Sequence, residues 1–310
     1  MIDLHIHTKS SDGTDDCISI LRKAESLNLS VISFTDHESC EMYNELKDID
    51  TSKYYSGKII PGVELKTVAK GIPIELLGYG VDPDVINKEV KKIYSASEEK
   101  DLIKMERLYE NCKRVGVKLE DDVLEKYDNS YKYATTYLHE KITESIENKR
   151  YITDEASWND DTTFFRRHMS NPKSRFYVRS NGILPSCDVI CSLIKKAGGL
   201  VFIPHIYIYM ENAKDVFNYL LENHQIDGVE CYYSHFTDEQ TEYLVNYCNT
   251  HGLYISGGTD YHGQNKPGIN IGKGKGDLSI SENIIKDWEE KVDVIENNIY
   301  DIDTTSIKYG

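Results

Sequence analysis

The sequence has few basic residues for its many acidic ones, and it has no long apolar run. Lysine and arginine total 36 against 52 aspartates and glutamates, which gives a net charge of −16. Because duplex-binding proteins usually neutralise phosphates with a basic face, this balance argues against binding of long duplex nucleic acid. A local basic pocket could still take a nucleotide or a short strand. The apolar runs are too short to cross a bilayer, so no membrane partner is expected.

Cysteine is sparse and odd in number, and no secretory signal is apparent. The seven cysteines cannot all pair, and the first residues lack the basic start and apolar centre of a signal peptide. We therefore expect reduced thiols and a cytoplasmic location. With 310 residues, of which 39% are apolar and 28% charged, the chain can form one large globular domain or one domain with an insertion.

Short apolar runs alternate with helical patterns along much of the chain. Strands are predicted at 2–7, 31–35, 58–63, 72–78, 200–204, 228–232 and 253–256, and helices at 15–28, 186–197 and 238–251. This alternation predicts parallel pairing and an α/β fold. Between 85 and 174 the pattern is charged and helical, which predicts an α-helical insertion between residues 1–84 and 175–280. Residues 281–310 are expected to form an acidic C-terminal tail.

Histidines and carboxylates lie at or near the C-terminal ends of nearly all the predicted strands. They are His5, His7, Asp12, Asp36, His37, Glu64, Glu75, His205, Glu230, Asp260 and His262. In a parallel barrel these ends share one face, where active sites are built. These side chains are ligands for divalent ions of the zinc, manganese or iron type, and paired ions suit hydrolysis at phosphorus. Each motif alone is a weak signal, so the prediction depends on their joint placement.

Seven short segments carry a family resemblance. They are DLHIHTKSSDGT, FTDHES, PGVEL, PIELLGYGVD, AGGLVFIPH, GVECYYS and SGGTDYHG, within residues 1–84 and 176–276. Their content and order resemble the successive motifs of the PHP (polymerase and histidinol phosphatase) family. The resemblance implies a distorted (β/α)7 barrel that binds two or three divalent metal ions and hydrolyses phosphoesters.

The resemblance also implies a ligand set. One metal would lie on His5, His7, Glu64 and Asp260, a second on Glu64, Glu75 and His205, and a third on Asp12, His37 and His262. Asp3 and Asp36 would orient ligating histidines. Asp12, His37, Glu64, Asp260 and His262 would then be the catalytic residues.

The chain departs from the family pattern in two places. The family usually has histidine at the position of Glu75, and a carboxylate there favours harder metals. The Arg-Pro-His motif of related insertions is replaced by TTYLHEK, in which His139 has no neighbouring arginine. Arg179 matches a family position near the substrate. His235 is a candidate general acid, with an ordinary loop histidine as the alternative, and Arg166 and Arg167 are expected on a solvated helix face.

Together these features predict a cytoplasmic metal-dependent phosphoesterase in which a metal-bridged hydroxide attacks phosphorus. The expected substrate is small, either a nucleotide phosphate such as a 3′,5′-bisphosphate or another phosphomonoester such as histidinol phosphate. One alternative is a 5′-3′ exonuclease that acts on short RNA or DNA. Another is a non-catalytic metal-binding domain.

Overall fold

Two β-sheets form the centre of the molecule. The computed structural model describes residues 1–94, 97–128, 130, 131, 133–180 and 182–295. One sheet has three parallel strands in the order β1-β2-β3, which are Ile2–Ile6, Val31–Phe34 and Lys58–Ile59. The other has the order β4-β5-β6-β7-β8, with strands Gly62–Ala69, Ile72–Tyr79, Leu200–Ile203, Gly228–Tyr233 and Tyr254–Gly258.

The prediction of parallel pairing is confirmed for six strands and wrong for β4 and β5. These two form an antiparallel hairpin, and β5 is also antiparallel to β6. The hairpin loop is Lys70-Gly71, and both residues have positive φ values, 52° and 84°. Two such residues form the tight turn whose twist matches that of a hairpin. The predicted strand at 58–63 is therefore divided between β3 and the start of β4. Residues 64–69, which were not predicted as strand, form the rest of β4.

Backbone hydrogen bonds join the two sheets at two places. The amide of Asp260 donates to His5 O at 2.8 Å, and the amide of His7 donates to Tyr261 O at 2.8 Å. Beyond the end of the central strand β2, the amide of Glu64 donates to Asp36 O at 3.2 Å, and that of Glu38 donates to Glu64 O at 2.9 Å. The C-terminal end of β8 thus lies beside β1, and the end of β2 lies beside β4.

Ten helices surround the sheets in the part of the chain that the structure describes. They are α1 Cys17–Ser26, α2 Glu41–Lys47, α3 Pro83–Ile93, α4 Ser97–Val115, α5 Ala134–Thr143, α6 Glu155–Asn159, α7 Asp161–Phe164, α8 Cys187–Lys196, α9 Ala213–Asn223 and α10 Asp238–His251. The three helices predicted from sequence correspond to α1, α8 and α10. Asp16 caps α1 by accepting from Ser19 N, and Thr237 with Gln240 forms a capping box at α10.

The helical residues between β5 and α8 contain an apolar cluster of their own. Buried side chains from Met105 to Val178 pack together there, including Leu138, Phe164 and Phe176. The chain between Phe165 and Met169 forms a π-helical turn. Ile86 and Val90 of α3 pack instead in the main core beside the sheets. The division of the chain into a sheet domain and an insertion starting at residue 85 stays a prediction.

The segment that follows β8 contributes to the core. Trp288 is fully buried, its ring stacks on Tyr79 at 5.6 Å, and its Nε1 donates to Ile255 O at 2.9 Å. The acidic composition of this tail gave no signal for that packing. Residues 296–310 of the predicted tail lie outside the described residues.

All seven cysteines are buried and unpaired. This agrees with the expectation of reduced thiols. None of the described helices has both the length and the apolar composition needed to cross a bilayer.

Candidate metal centre

All nine predicted metal ligands meet at one place, which we call the metal centre. They form four overlapping groups, in each of which the ligand atoms lie within 4.8 Å of one another. The groups are His7, Asp12, His37 and His262; His5, His205 and Asp260; His5, His7 and Glu64; and His37, Glu64 and Glu75. These overlaps mean that neighbouring ions bound here would share ligands.

Glu64 is the shared carboxylate at the centre of these groups. Its Oε2 lies 3.3 Å from His7 Nε2 and 3.2 Å from His37 Nδ1, and its Oε1 lies 2.9 Å from His205 Nε2. The side chain is only 1% exposed. Burial alone would raise the pKa of Glu64, but the charge of His5 and the hydrogen bond with His205 hold it well below the usual range. Glu64 is therefore an anion with histidines on several sides.

Asp260 presents one oxygen to the histidines, while its other oxygen is held by hydrogen bonds. Oδ1 lies 3.5 Å from His7 Nε2 and 3.2 Å from His262 Nδ1. Oδ2 accepts from Tyr233 Oη at 2.9 Å and from Lys266 Nζ at 2.5 Å. Burial opposes ionisation, but Lys266 and the neighbouring histidines hold the pKa of Asp260 far below its usual range. The two roles of the oxygens fix the carboxylate in one orientation.

The third predicted ligand group is also assembled. Asp12 Oδ1 lies 3.1 Å from His262 Nε2, 3.6 Å from His7 Nδ1 and 3.8 Å from His37 Nε2. His262 Nδ1 donates to Asp260 O at 2.9 Å, which leaves Nε2 free to face Asp12 and a metal. A hydrogen bond donated by the ring nitrogen that does not bind metal fixes the tautomer of a ligating histidine.

Glu75 reaches the metal centre from the middle of β5 rather than from a strand end. Its Oε2 lies 3.5 Å from His205 Nε2, and its Oε1 lies 3.9 Å from His37 Nδ1. Burial and the neighbouring Glu64 carboxylate raise the pKa of Glu75 to about 7. The position of Glu75 follows from the hairpin, which turns this side chain toward the same face as Glu64.

The backbone at the metal centre is strained at the ligands themselves. His205 and Asp260 have positive φ values, 24° and 59°. Residues other than glycine rarely adopt this backbone conformation. Just before Asp260, a Cβ at Gly258 would lie 2.4 Å from the backbone nitrogen of His5. Only glycine permits this close approach of β8 to β1. Strain of this kind persists where surrounding contacts hold it, and it is common at functional sites.

Asp3 and Asp36 contact no histidine ring among the described residues. Asp3 accepts from the amide of the ligand His5 at 3.3 Å, so its expected role holds for the backbone only, whereas the expected role of Asp36 is wrong. Asp3 accepts from Thr259 and from the amide of Gly272, and Asp36 accepts from the amide and hydroxyl of Thr8. These carboxylates tie together the loops that carry ligands, which is a structural role. Burial raises the pKa of Asp3 to about 6.

Glu230 is the carboxylate that orients two ligands. It is fully buried, its Oε1 lies 2.9 Å from His5 Nδ1, and its Oε2 accepts from the amide of His205 at 2.7 Å. From the sequence, Glu230 was only one of the carboxylates near the predicted strand ends. The contact with Nδ1 leaves His5 Nε2 directed at Glu64 and Asp260.

The donor set fits divalent metal ions. Two buried ring nitrogens that face carboxylates of the metal centre, His7 Nδ1 and His37 Nδ1, have no hydrogen-bond partner among the described residues. Burial lowers the pKa of His7 and holds that of His37 well below its usual range, so both rings are neutral and can donate lone pairs. Unpartnered buried polar atoms are rare in proteins, and metal coordination satisfies them.

Three residues were predicted to contact substrate: His139, Arg179 and His235. The first two lie away from the metal centre, and His235 lies at its open edge, which we call the mouth. His139 is buried in the helical apolar cluster, where its Nε2 donates to Ser157 O at 2.9 Å and its ring packs on Phe164. Arg179 is exposed, and its carbonyl accepts from Arg107. The structure brings neither side chain to the metal centre. His235 is exposed, with its ring 5.7 Å from that of Tyr233, the residue that donates to Asp260.

Three cations near His235 were not predicted, and we call them the cationic rim: Arg166, Lys266 and Lys275. Lys266 donates to Asp260, and Arg166 acts electrostatically on Tyr209, Tyr233 and His235. Partial burial, Lys275 and Lys266 lower the pKa of His235. Arg166 was expected on a solvated helix face. No periodicity in the sequence could have placed it here, because the π-helical turn that carries it depends on tertiary packing.

Lys66 is a further cation that sequence analysis missed. It follows Glu64 by two residues on β4 and lies opposite Glu75 in the hairpin. Its Nζ lies 3.7 Å from Glu38 Oε2. Burial opposes the charge, but Glu38 and Glu75 raise the pKa of Lys66 above its usual value. The two-residue spacing from Glu64 was a usable signal, since alternate residues of a strand share a face.

Comparison with known proteins places these features in a family. A model of the PHP domain matches residues 3–169. A 5′-3′ exoribonuclease of Haemophilus influenzae is 24% identical over 290 residues, which cover 93% of this chain and 98% of that protein. A 3′,5′-nucleoside bisphosphate phosphatase of Chromobacterium violaceum is 23% identical over 286 residues, which cover 87% and 90%.

Solved structures share the fold. One, described as a metal-dependent phosphoesterase from Bifidobacterium adolescentis, has a TM-score of 0.59 at 20% identity and covers 94% of this chain and 96% of that one. Another, described as an amidohydrolase from Chromobacterium violaceum with bound sulfate, has a TM-score of 0.56 at 21% identity and covers 87% and 89%.

Proposed function

The chain belongs to the PHP domain family and is a metal-dependent phosphoesterase, and on this premise we propose that its substrate is a small nucleotide phosphate. The observation that carries the proposal is the position of Glu64, a buried carboxylate whose two oxygens contact histidines from different strands. A shared carboxylate of this kind holds metal ions close enough to act on one phosphate.

We propose that the metal centre holds two or three ions. Glu64 would be shared between His5, His7 and Asp260 on one side and His205 and Glu75 on the other, and Asp12, His37 and His262 would hold the third. When bound, such ions supply a more acidic water and neutralise charge on a phosphate. Glu75 adds a hard oxygen donor, which favours manganese or iron over zinc.

The chain's own residues orient and confine the reacting groups. Glu230 holds the His5 ring and the backbone of His205, and Tyr233 with Lys266 fixes one oxygen of Asp260. Because the pKa of His235 is lowered, the ring carries little of the proton that a general acid needs at neutral pH. We therefore propose that His235 contacts substrate rather than acting as the acid.

We also infer that the two sheets together form a distorted barrel. The contacts between the sheets support this, because they join the edge strand β1 to the end of the edge strand β8 and the end of the central strand β2 to the edge strand β4. The predicted location in the cytoplasm stays a proposal, supported by the seven unpaired cysteines.

Two relatives favour different substrates, and hydrolysis assays separate them. The bisphosphate phosphatase supports a nucleoside 3′,5′-bisphosphate as substrate, and the exoribonuclease supports a short RNA as the second candidate. The enzyme should be supplied with manganese and tested on nucleoside 3′,5′-bisphosphates, nucleoside 5′-monophosphates, histidinol phosphate and a 5′-phosphorylated RNA oligomer.

We expect phosphate release from the bisphosphate, loss of that release with a chelator, and loss in Asp260→Asn. Asparagine tolerates the left-handed backbone at this position, so the variant tests the ligand rather than the fold. Lys286→Ala, at an exposed site, is the matched control. Stepwise release of mononucleotides from the oligomer without action on the bisphosphate would instead support the exoribonuclease. No metal-dependent release from any substrate would contradict the proposal.

A further inference from the structure

The cationic rim contains more positive charge than its surroundings compensate. Lys266 is paired with Asp260, whose second oxygen also accepts from Tyr233. Arg166 and Lys275 are exposed and form no ion pair with a described residue. The charges of Arg166 and Lys275 are therefore not neutralised by an ion pair among the described residues, although the whole chain carries a net charge of −16. Local positive potential of this kind attracts anions.

Packing contacts place each rim residue beside the metal centre. The π-helical turn Phe165–Met169, which carries Arg166, packs on the segment Ile206–Asn212 that follows the ligand His205. The amide of Glu75 donates to the hydroxyl of Tyr209 in that segment at 2.9 Å. Arg166 therefore reaches the mouth from the helical part of the chain.

Lys275 lies in a loop that packs beside His235. A Cβ on its neighbour Gly274 would lie 2.7 Å from Ser234 Oγ, and Ser234 donates to Thr259 O at 2.6 Å. The loop carrying Lys275 is thus packed against the residue next to His235 and beside the ligand loop of Asp260. Two separate parts of the chain place a cation at one end of the metal centre.

We propose that the cationic rim is an anion subsite that binds a second, non-scissile phosphate of the substrate. The inference rests on the proposed function and deepens it. Arg166 lies in the turn that packs on the segment after His205, and Lys275 follows Gly274, which packs on Ser234. Neither the turn nor the loop supplies a predicted metal ligand. They therefore lie one layer outside the position of the phosphate that is hydrolysed. A guanidinium fork and an ammonium suit phosphate oxygens.

The subsite gives the enzyme a means of selecting substrates with two phosphates. A monophosphate would be held by the metal centre alone, whereas a nucleoside 3′,5′-bisphosphate would also contact the rim. Charge-assisted hydrogen bonds are about twice as strong as neutral ones, so the second phosphate should contribute strongly to selection.

The test compares Arg166→Ala, Lys275→Ala and the double variant with wild type, using adenosine 3′,5′-bisphosphate and adenosine 5′-monophosphate. The measured quantity is the ratio of kcat/KM for the two substrates. We expect this preference ratio to fall about tenfold in the double variant, and Arg166→Lys to retain part of it. The control is Arg22→Ala with Lys286→Ala, which removes the same two charges at exposed positions elsewhere.

A binding measurement separates this inference from the proposed function. Calorimetric titration of the chelator-treated protein with adenosine 3′,5′-bisphosphate should show weaker binding in the double variant than in the control. If wild type hydrolyses neither substrate, the proposed function fails, and the titration still decides whether the subsite exists. An unchanged preference ratio, or equal binding by the double variant and its control, would overturn the subsite.

Discussion

The metal centre and the cationic rim lie at the same mouth, yet the protein holds them in different ways. Glu64 and Asp260 are almost completely buried and are held by strands or by hydrogen bonds from neighbouring side chains. Arg166 and Lys275 are exposed and are positioned only by the packing of the turn and the loop that carry them. The difference implies that the chemistry of hydrolysis depends on the sheets, whereas the choice of substrate depends on loops and helices that can change separately.

The largest effect should come from the carboxylate shared within the metal centre. Glu64→Gln replaces an anion with an amide of the same shape, so the charge that attracts the ions is lost while the packing is kept. Loss of a residue that only supports a metal ligand lowers activity by up to about 100-fold. Because Glu64 would itself be a ligand, we expect kcat to fall by at least about that factor. Metal content by elemental analysis and phosphate release check the outcome. Near-normal turnover with full metal content would show that Glu64 is not a ligand.

The next effect tests whether the metal centre depends on its supporting carboxylate. Glu230→Gln leaves one acceptor oxygen where two donors, His5 Nδ1 and the amide of His205, require two. We expect metal affinity to fall about 10- to 100-fold, measured by titration against a competing chelator.

Asp3→Asn is the matched control for Glu230→Gln, because Asp3 is an equally buried carboxylate that holds backbone and Thr259 rather than a histidine ring. We expect the control to change stability more than metal affinity. Equal loss of metal affinity in both variants would mean that Glu230 acts only through the fold.

Glu75 lies at the boundary of the two regions and tests metal preference. Its side chain is 20% exposed, and it contacts His205 and His37. Glu75→His replaces a hard oxygen with nitrogen, so we expect the preference among manganese, iron and zinc to move toward zinc. Glu75→Ala should weaken the second binding event. Titrations of metal-free protein that match wild type for both variants would show that Glu75 does not ligate.

The smallest effect concerns the support of the rim. Asp154 caps α6, and its carboxylate also pairs with Arg167 at 2.6 Å, next to Arg166. Hydrogen bonds from Ser157 and Arg167 lower the pKa of Asp154 to about 2. Asp154→Asn keeps a capping side chain and loses the pairing charge, so we expect a loss of about 0.5 kcal/mol in the free energy of unfolding by urea.

The pH dependence of this loss gives a second check. Because the pKa in the folded protein is below that in the unfolded chain, the stabilisation is present at neutral pH and is lost as pH falls from about 4 toward 2. The difference between wild type and Asp154→Asn should fade over that range. A constant difference would mean that the charge of Asp154 has no role.

The ligands could be predicted from the sequence because strands place alternate residues on one face and bring their ends together. His5 and His7 are two residues apart on one such face, and the motif around Asp260 and His262 repeats the spacing. The supporting contacts could not be predicted in the same way. Whether Glu230 or Asp3 reaches a histidine ring depends on the register of neighbouring strands.

The β4–β5 hairpin and the cationic rim were not predicted from the sequence, for other reasons. The residues Lys70-Gly71 form a tight turn, whereas the alternation of strands and helices predicted parallel pairing. Arg166 and His139 come from helices whose packing sets which side chains point to the mouth, and that packing leaves no periodic trace. His139 is consequently in the helical core, while Arg166 is beside the site.

The contact between β1 and β8 determines when the active site can form during synthesis. Asp3 accepts from the amide of Thr259, which is 256 residues further along the chain, and the amide of Asp260 donates to His5 O. The ribosome therefore makes His5 and His7 early and their partners Asp260 and His262 late. Contacts between such distant segments form slowly. Until most of the chain has emerged, the first strand has an unpaired edge, and nascent protein cannot hold metal as the finished enzyme does.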